Sequence, residues 1–94
     1  MKQAYVYFMM NFANTVIYTG VTSDLKKRVY QHKNDLFPGF TSEYKVHKLV
    51  YFEMFEEMIE GIKREKQIKA GSRKKKLELI RERNPSFEDL YPKI

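Results

Sequence analysis

With 94 residues, 43% of them hydrophobic, the chain has room for a single domain with one modest core, and no apolar run approaches the ~20 residues that cross a bilayer. It has no cysteine, which excludes disulfides, thiolate zinc sites and cysteine nucleophiles and fits a reducing cytoplasm, and Met1-Lys2-Gln3-Ala4 lacks the pattern of a secretory signal. Eighteen Lys and Arg against twelve Asp and Glu give a formal charge of +6, a surface that draws polyanions, chiefly nucleic acid or anionic lipid.

Tyr5 to Met10 is an unbroken apolar and aromatic run, the pattern of a buried strand. Asn11 to Asn14 reads as a turn and Thr15 to Gly20 as a second strand, so the two form an antiparallel hairpin. Thr22, Ser23 and Asp24 are helix-start residues, and the helix they open, about Asp24 to Asn34, carries Leu25, Arg28, Val29 and His32 on one face. Asp35 to Tyr44, with Pro38, Gly39, Thr41 and Ser42, reads as a mobile loop, and His47 to Met54 as a third strand. A second helix is expected from about Phe55 to Ala70, with Gly71 as its left-handed cap. Ser72 then caps a third helix through Leu77 and Ile80, which Asn84-Pro85 stops. Phe87, Leu90 and Tyr91 fold the tail back onto the body. The order β-β-α-β-α-α predicts an α/β (α+β) fold, one domain over 1–94, with a three-stranded antiparallel sheet flanked by helices.

Charge is unevenly spread along this order. Glu53, Glu56, Glu57 and Glu60 crowd together, whereas ten basic residues against three acidic ones lie between Gly61 and Arg83. Such polarity gives the domain one face suited to phosphates. The run Arg73-Lys74-Lys75-Lys76 is its densest part, although a solvated helix face reads the same way.

Three features break the core pattern. Met58, Gly61, Ile62, Glu65 and Ile68 share a stripe of the second helix, and the carboxylate among them must be paired, protonated or bound to a cation. Taken alone, a glutamate at such an edge most often meets a lysine. Arg28 and His32 lie one turn apart on the face of Leu25 and Val29, where an arginine fork suits a phosphate or else snorkels from the rim of the core. Tyr7 and Tyr18 sit on adjacent strands, where they are either ordinary strand aromatics or two phenols turned toward one ligand. Arginine and a metal nearby would lower a tyrosine below its usual pKa of about 10, so that a tyrosinate takes a proton from water.

Tyr5-Val6-Tyr7, ten residues, Tyr18-Thr19-Gly20 and then Asp24-Leu25-Lys26-Lys27-Arg28 resemble the signature of the GIY-YIG nuclease superfamily. Arg64-Glu65-Lys66-Gln67-Ile68-Lys69 is similar to its later motif, and Leu49-Val50-Tyr51-Phe52-Glu53 with Asn84-Pro85 resembles its small standalone bacterial members. The resemblance spans Tyr5 to about Tyr91. It implies that Tyr7 and Tyr18 share the work of activating and orienting a water, and that Arg28 binds the scissile phosphate. His32 would relay a proton or hold a phosphate oxygen. Glu65 would be the one protein carboxylate on a divalent ion, Mg2+ or Mn2+, with Asn84 as a supporting polar residue. Lys27 and the run Arg73, Lys74, Lys75 and Lys76 are the expected nucleic-acid contacts.

Departures from the signature qualify these roles. Tyr5 replaces a glycine and Thr19 an aliphatic residue, both read as packing variation. Val21 stands where some members carry a lysine that would depress a tyrosine's pKa. No residues are left for a target-recognition domain, so the expected activity is structure-dependent rather than sequence-specific cutting of DNA unless a protein partner supplies specificity. A nucleic-acid-binding module with little or no catalysis is the alternative, and an interaction domain for an acidic protein is a third reading.

Overall fold

A computed structural model describes residues 3–94. Its elements are β1 (Ala4–Met10), β2 (Ile17–Thr22), α1 (Leu25–Lys33), a one-turn α2 (Phe40–Glu43), β3 (Lys48–Phe55), α3 (Met58–Lys69), α4 (Arg73–Arg83) and a closing 3-10 turn (Tyr91–Lys93). The strands form one antiparallel sheet in the order β2-β1-β3. The expected architecture is therefore present. The apolar run of β1 is explained by its central place, because both of its faces are covered.

Alternation along β1 divides the protein into two layers. Val6, Phe8 and Met10 face one side and pack with Val50, Tyr51, Ile68 of α3 and Ile80 of α4. Tyr7 and Met9 face the other and pack with Leu25 and Val29 of α1, Val46 and Leu49. A bulge between Phe8 and Met9 shifts the β1–β3 register, so Phe8 pairs Tyr51 while Met9 pairs Leu49. The tail crosses to the α1 side, where Leu90, Tyr91 and Ile94 pack. Asp89 pins it there by accepting from the Leu49 N–H at 3.1 Å and by pairing with Lys33.

Several boundaries move for identifiable reasons. The Asn11 side chain accepts from the backbone N–H groups of Thr15 (2.9 Å) and Val16 (3.0 Å), so β2 starts at Ile17 rather than Thr15. Phe55 still pairs with Ala4, which delays α3 to Met58. Gly71 does not take the left-handed conformation expected of it; Ala70 caps α3 with helical dihedrals, and Gly39 at φ 115° is the glycine with positive φ. Asp24 caps α1 through Lys27 N, and Ser72 caps α4 through Lys75 N, as expected. The 35–44 segment is not all loop: Phe40–Glu43 makes one helical turn, anchored by buried Thr41, whose carbonyl accepts from Val46 N at 3.3 Å. Among the described residues no helix is long and apolar enough to cross a membrane.

Candidate active site

Tyr7 lies at the centre of β1 with no solvent exposure, its ring on the α1 side. Its cross-strand partner is Gly20. A Cβ on Gly20 would come within 2.6 Å of both Cζ and Oη of Tyr7, so the glycine leaves the space that the phenol fills. Tyr18 is opposite Met9 and therefore on the same side, with its ring centroid 6.3 Å from that of Tyr7. Because β2 is an edge strand, Tyr18 is only half-buried.

Helix α1 completes the cluster. Leu25, Val29 and His32 form its buried stripe at the i, i+4, i+7 spacing. That places His32 Nε2 at 2.8 Å from Tyr7 Oη, with the imidazole 5.3 Å from the Tyr18 ring. Arg28, one turn earlier, is half-buried, and its guanidinium lies 5.2 Å from the centroid of Phe37. Tyr18, Arg28, His32, Phe37, Phe40 and Thr41 line an open cavity of about 290 Å³. On its other side Arg28 borders a depression shared with Thr22, Asp24 and Lys27, so exposed Lys27 extends the cationic rim.

Burial dominates the electrostatics here. It pushes the Tyr7 phenol well above the ordinary tyrosine range, the Tyr18 charge adds to the rise, and Arg28 offsets only part of it. Arg28 does pull the phenol down as expected, but desolvation of the phenolate outweighs the attraction of one guanidinium and the net shift is upward. Burial, and then Arg28, pushes His32 down to about 4, so its imidazole is neutral at pH 7. His32 Nδ1 has no hydrogen-bond partner among the described residues.

Glu65 approaches from the opposite layer. Helix α3 lies over β1 and β2, with Gly61 so close that a Cβ there would be 2.9 Å from Ala4 Cβ and 3.3 Å from Val21 Cγ2. Val21 therefore packs under α3 rather than toward Tyr7. Glu65, one turn beyond Gly61, keeps 15% of its side chain exposed and pairs with Lys69 at 3.0 Å. The lysine-paired explanation of this carboxylate is thus correct as far as it goes. Its charge also reaches across the sheet, adding the smallest of the contributions that raise Tyr7. Among the described residues no three His, Asp or Glu side chains converge. A divalent ion here would rest on Glu65, with waters and substrate oxygens, a donor set that suits a hard cation such as Mg2+.

The other candidates lie apart. Asn84 is buried, and its amide is spent on backbone: it donates to Val50 O (3.1 Å) and Glu88 O (2.8 Å) and accepts from Glu88 N (3.0 Å). It holds the turn after α4 against β3, and any support it gives the site passes through the fold. Arg73, Lys74, Lys75 and Lys76 occupy the first turn of α4, in the layer away from Tyr7. Arg73, Lys74 and Lys75 are exposed. Lys76 is half-buried, and burial together with Lys69 and Arg73 lowers its pKa. Sequence reasoning passed over Phe37, Phe40 and Thr41 as loop residues. Two phenylalanines beside Pro38-Gly39 were the available signal, since aromatic residues are unusual in a purely solvated loop.

Comparison with known proteins places the chain among characterised sequence families and folds. Residues 3–78 match the GIY-YIG catalytic domain. A UPF0213 protein of Staphylococcus saprophyticus is 39% identical over 82 residues, covering 87% of this chain and 99% of that one. A UPF0213 protein of Staphylococcus aureus is 37% identical over 76 residues, covering 81% and 93%. The solution NMR structure of a UPF0213 protein from Bacillus halodurans superposes with a TM-score of 0.58 at 26% identity, covering 93% of this chain and 92% of that one. Such a domain implies nuclease-type phosphodiester hydrolysis. The chain belongs to the GIY-YIG family, and its relatives are that family's small single-domain UPF0213 proteins.

Proposed function

We propose that the protein is a divalent-metal-dependent nuclease that hydrolyses DNA according to its structure rather than its sequence. The observation that carries this reading is the 2.8 Å contact between Tyr7 Oη and His32 Nε2, set beside the cavity that Arg28 lines. Arg28 binds the scissile phosphate and offsets the charge that develops on its oxygens. Tyr18, at the edge of the sheet, orients the attacking water. In the imidazole tautomer with Nε2 bare, the Tyr7 hydroxyl donates to His32. Tyr7 then accepts the water's proton as its own passes to Nε2, so no standing tyrosinate is required. Glu65 would hold the metal, which when bound supplies Lewis-acid stabilisation of the phosphate. Lys69, which pairs with Glu65 at 3.0 Å, would have to give up that ion pair for Glu65 to hold a cation.

The test is cleavage of single-stranded, duplex, nicked and branched DNA, with RNA alongside, by purified protein in Mg2+ or Mn2+. At least one DNA is expected to be cut, and Glu65→Ala to lower the rate roughly 10²- to 10³-fold with unchanged circular dichroism. Equal rates for the wild type and Glu65→Ala would sink the assignment. Salt-sensitive binding without cleavage of any substrate would favour a binding module instead.

A further inference from the structure

The loop between α1 and β3 carries aromatic surface that the core does not use. Phe40 and Tyr44 stand at i and i+4 on and just after α2, with ring centroids 4.7 Å apart, yet they are 49% and 45% exposed. Phe40 also lies 6.2 Å from the Tyr18 ring, and Phe37 stands 5.6 Å from His32 beneath the Arg28 guanidinium. The aromatic surface therefore runs without a break from the Tyr7–His32 pair out to solvent. It is held in place, because Thr41 between Phe40 and Tyr44 is buried and its carbonyl is tied to Val46. Arg28 and Lys27 stand at the inner end of this ledge, where phosphates would run.

We infer that Phe40 and Tyr44 form a stacking ledge for unpaired nucleobases next to the phosphate held by Arg28, so that the substrate is single-stranded nucleic acid. This rests on the nuclease reading above and gives it a substrate class. Aromatic rings beside cationic side chains bind single strands because every base offers a π-face while the phosphates take the charge. In a duplex both faces of a base are covered by its neighbours, so a ledge at this position can engage only a nucleotide that is already unstacked or is pulled out. The mixture of cationic and aromatic groups also favours this occupant over an apolar peptide, which would leave Arg28 and Lys27 without partners.

The experiment uses a short single-stranded DNA carrying 2-aminopurine, its RNA counterpart and the matching DNA duplex, each titrated against the full chain in EDTA so that no turnover occurs. Stacking predicts strong fluorescence quenching for the single strand and weaker binding of the duplex. Phe40→Ala is expected to weaken single-strand binding roughly 5- to 150-fold, with duplex binding and the slope of affinity against salt unchanged. Phe40→Trp should restore it, and Tyr44→Ala should give a smaller loss. Both side chains are half-exposed, so the variants should melt as the wild type does. Phe40→Ala binding both DNAs with wild-type affinity, or losing affinity equally for both, would overturn the ledge. Cleavage with Mg2+ is measured in parallel: a wild type that cuts but ignores Phe40→Ala removes the ledge and keeps the nuclease. A wild type that stacks single strands but cuts nothing removes the nuclease reading instead. Matching results on the RNA strand would show that the ledge reads bases rather than sugars.

Discussion

The two faces of β1 are built from one alternating strand and carry different kinds of side chain. Toward α3 and α4 lie Val6, Phe8 and Met10, apolar side chains that meet Ile68 and Ile80 in an ordinary core. Toward α1 lie Tyr7 and Met9, and there the buried layer includes a phenol and an imidazole bonded to each other. Residues adjacent in sequence and equally buried thus meet different surroundings: Phe8 packs among apolar side chains, whereas Tyr7 bonds a histidine that lines a cavity. The difference teaches that burial alone does not separate core from site. What separates them is whether a buried polar atom points at a partner or at a cavity.

The sharpest way to test that division is to exchange ring chemistry across it. Tyr7→Phe keeps the ring over Gly20 and removes only Oη, so hydrolysis is expected to fall roughly 10²- to 10⁴-fold while the melting temperature stays within a few degrees. Phe8→Ala on the other face should do the reverse. It opens a cavity costing about 3–5 kcal/mol, and the fraction that remains folded should keep its specific activity. Thermal melts and single-turnover rates on the same preparations check both. A Tyr7→Phe protein that cuts at the wild-type rate would erase the distinction between the faces.

The glycines offer a second contrast. Gly20→Ala forces a Cβ against the Tyr7 ring and Gly61→Ala forces one against Ala4 and Val21, so each should cost about 1–3 kcal/mol through overpacking. Their effects on activity should differ in kind. Gly20→Ala displaces the phenol from His32 and should lower kcat. Gly61→Ala lifts α3, and Glu65 with it, and should raise the Mg2+ concentration needed for half-maximal rate. Metal titrations of both variants separate the two outcomes.

pH separates the faces as well. The His32 imidazole is held at about 4 against an ordinary 6.5, so the unfolded chain binds its proton first. The stability that this contributes is complete above pH 6.5 and is lost as pH falls toward 4, about 3 kcal/mol in all. Denaturant melts should therefore show the wild type losing about 2 kcal/mol more than His32→Gln between pH 7.5 and pH 5. For the same reason the rate should persist through pH 6.5 instead of falling as it would with a solvent-exposed histidine. Parallel stability curves for the two proteins would show that His32 is not buried as a neutral ring.

Much of this division was legible in the sequence. The uninterrupted β1 run, the Asp24 and Ser72 caps and the 3.6-residue stripe of α1 each follow from local rules, and the tyrosine, arginine and glutamate positions stood out because they broke those rules. The layer to which each belonged did not stand out. Glu65 and Arg28 read alike as charges on apolar stripes, but only the packing of α3 against Val21 and of α1 against Tyr7 shows that they approach from opposite sides. The sign of the Tyr7 shift was equally hidden, since it depends on how completely three elements bury the phenol. Also hidden was the way Val50 and Glu88 take up the Asn84 amide, so that any support it gives the site passes through the fold.

Thr19 tests the apolar face at its weakest point. It replaces an aliphatic residue of the family pattern, pairs with Phe8 across the strands and turns its side chain away from Tyr18. Its hydroxyl is buried without a hydrogen-bond partner among the described residues. A buried hydroxyl left unmatched costs about 1–3 kcal/mol, less whatever local relaxation recovers. Thr19→Val keeps the shape and removes the polar atom, so it should raise stability by about 1 kcal/mol with hydrolysis unchanged, read as a shift of the denaturation midpoint at constant m. On the Tyr7 face the same kind of change, Tyr7→Phe, is expected to lower hydrolysis instead. A Thr19→Val protein that loses activity instead would show that this hydroxyl serves the site and not the packing alone.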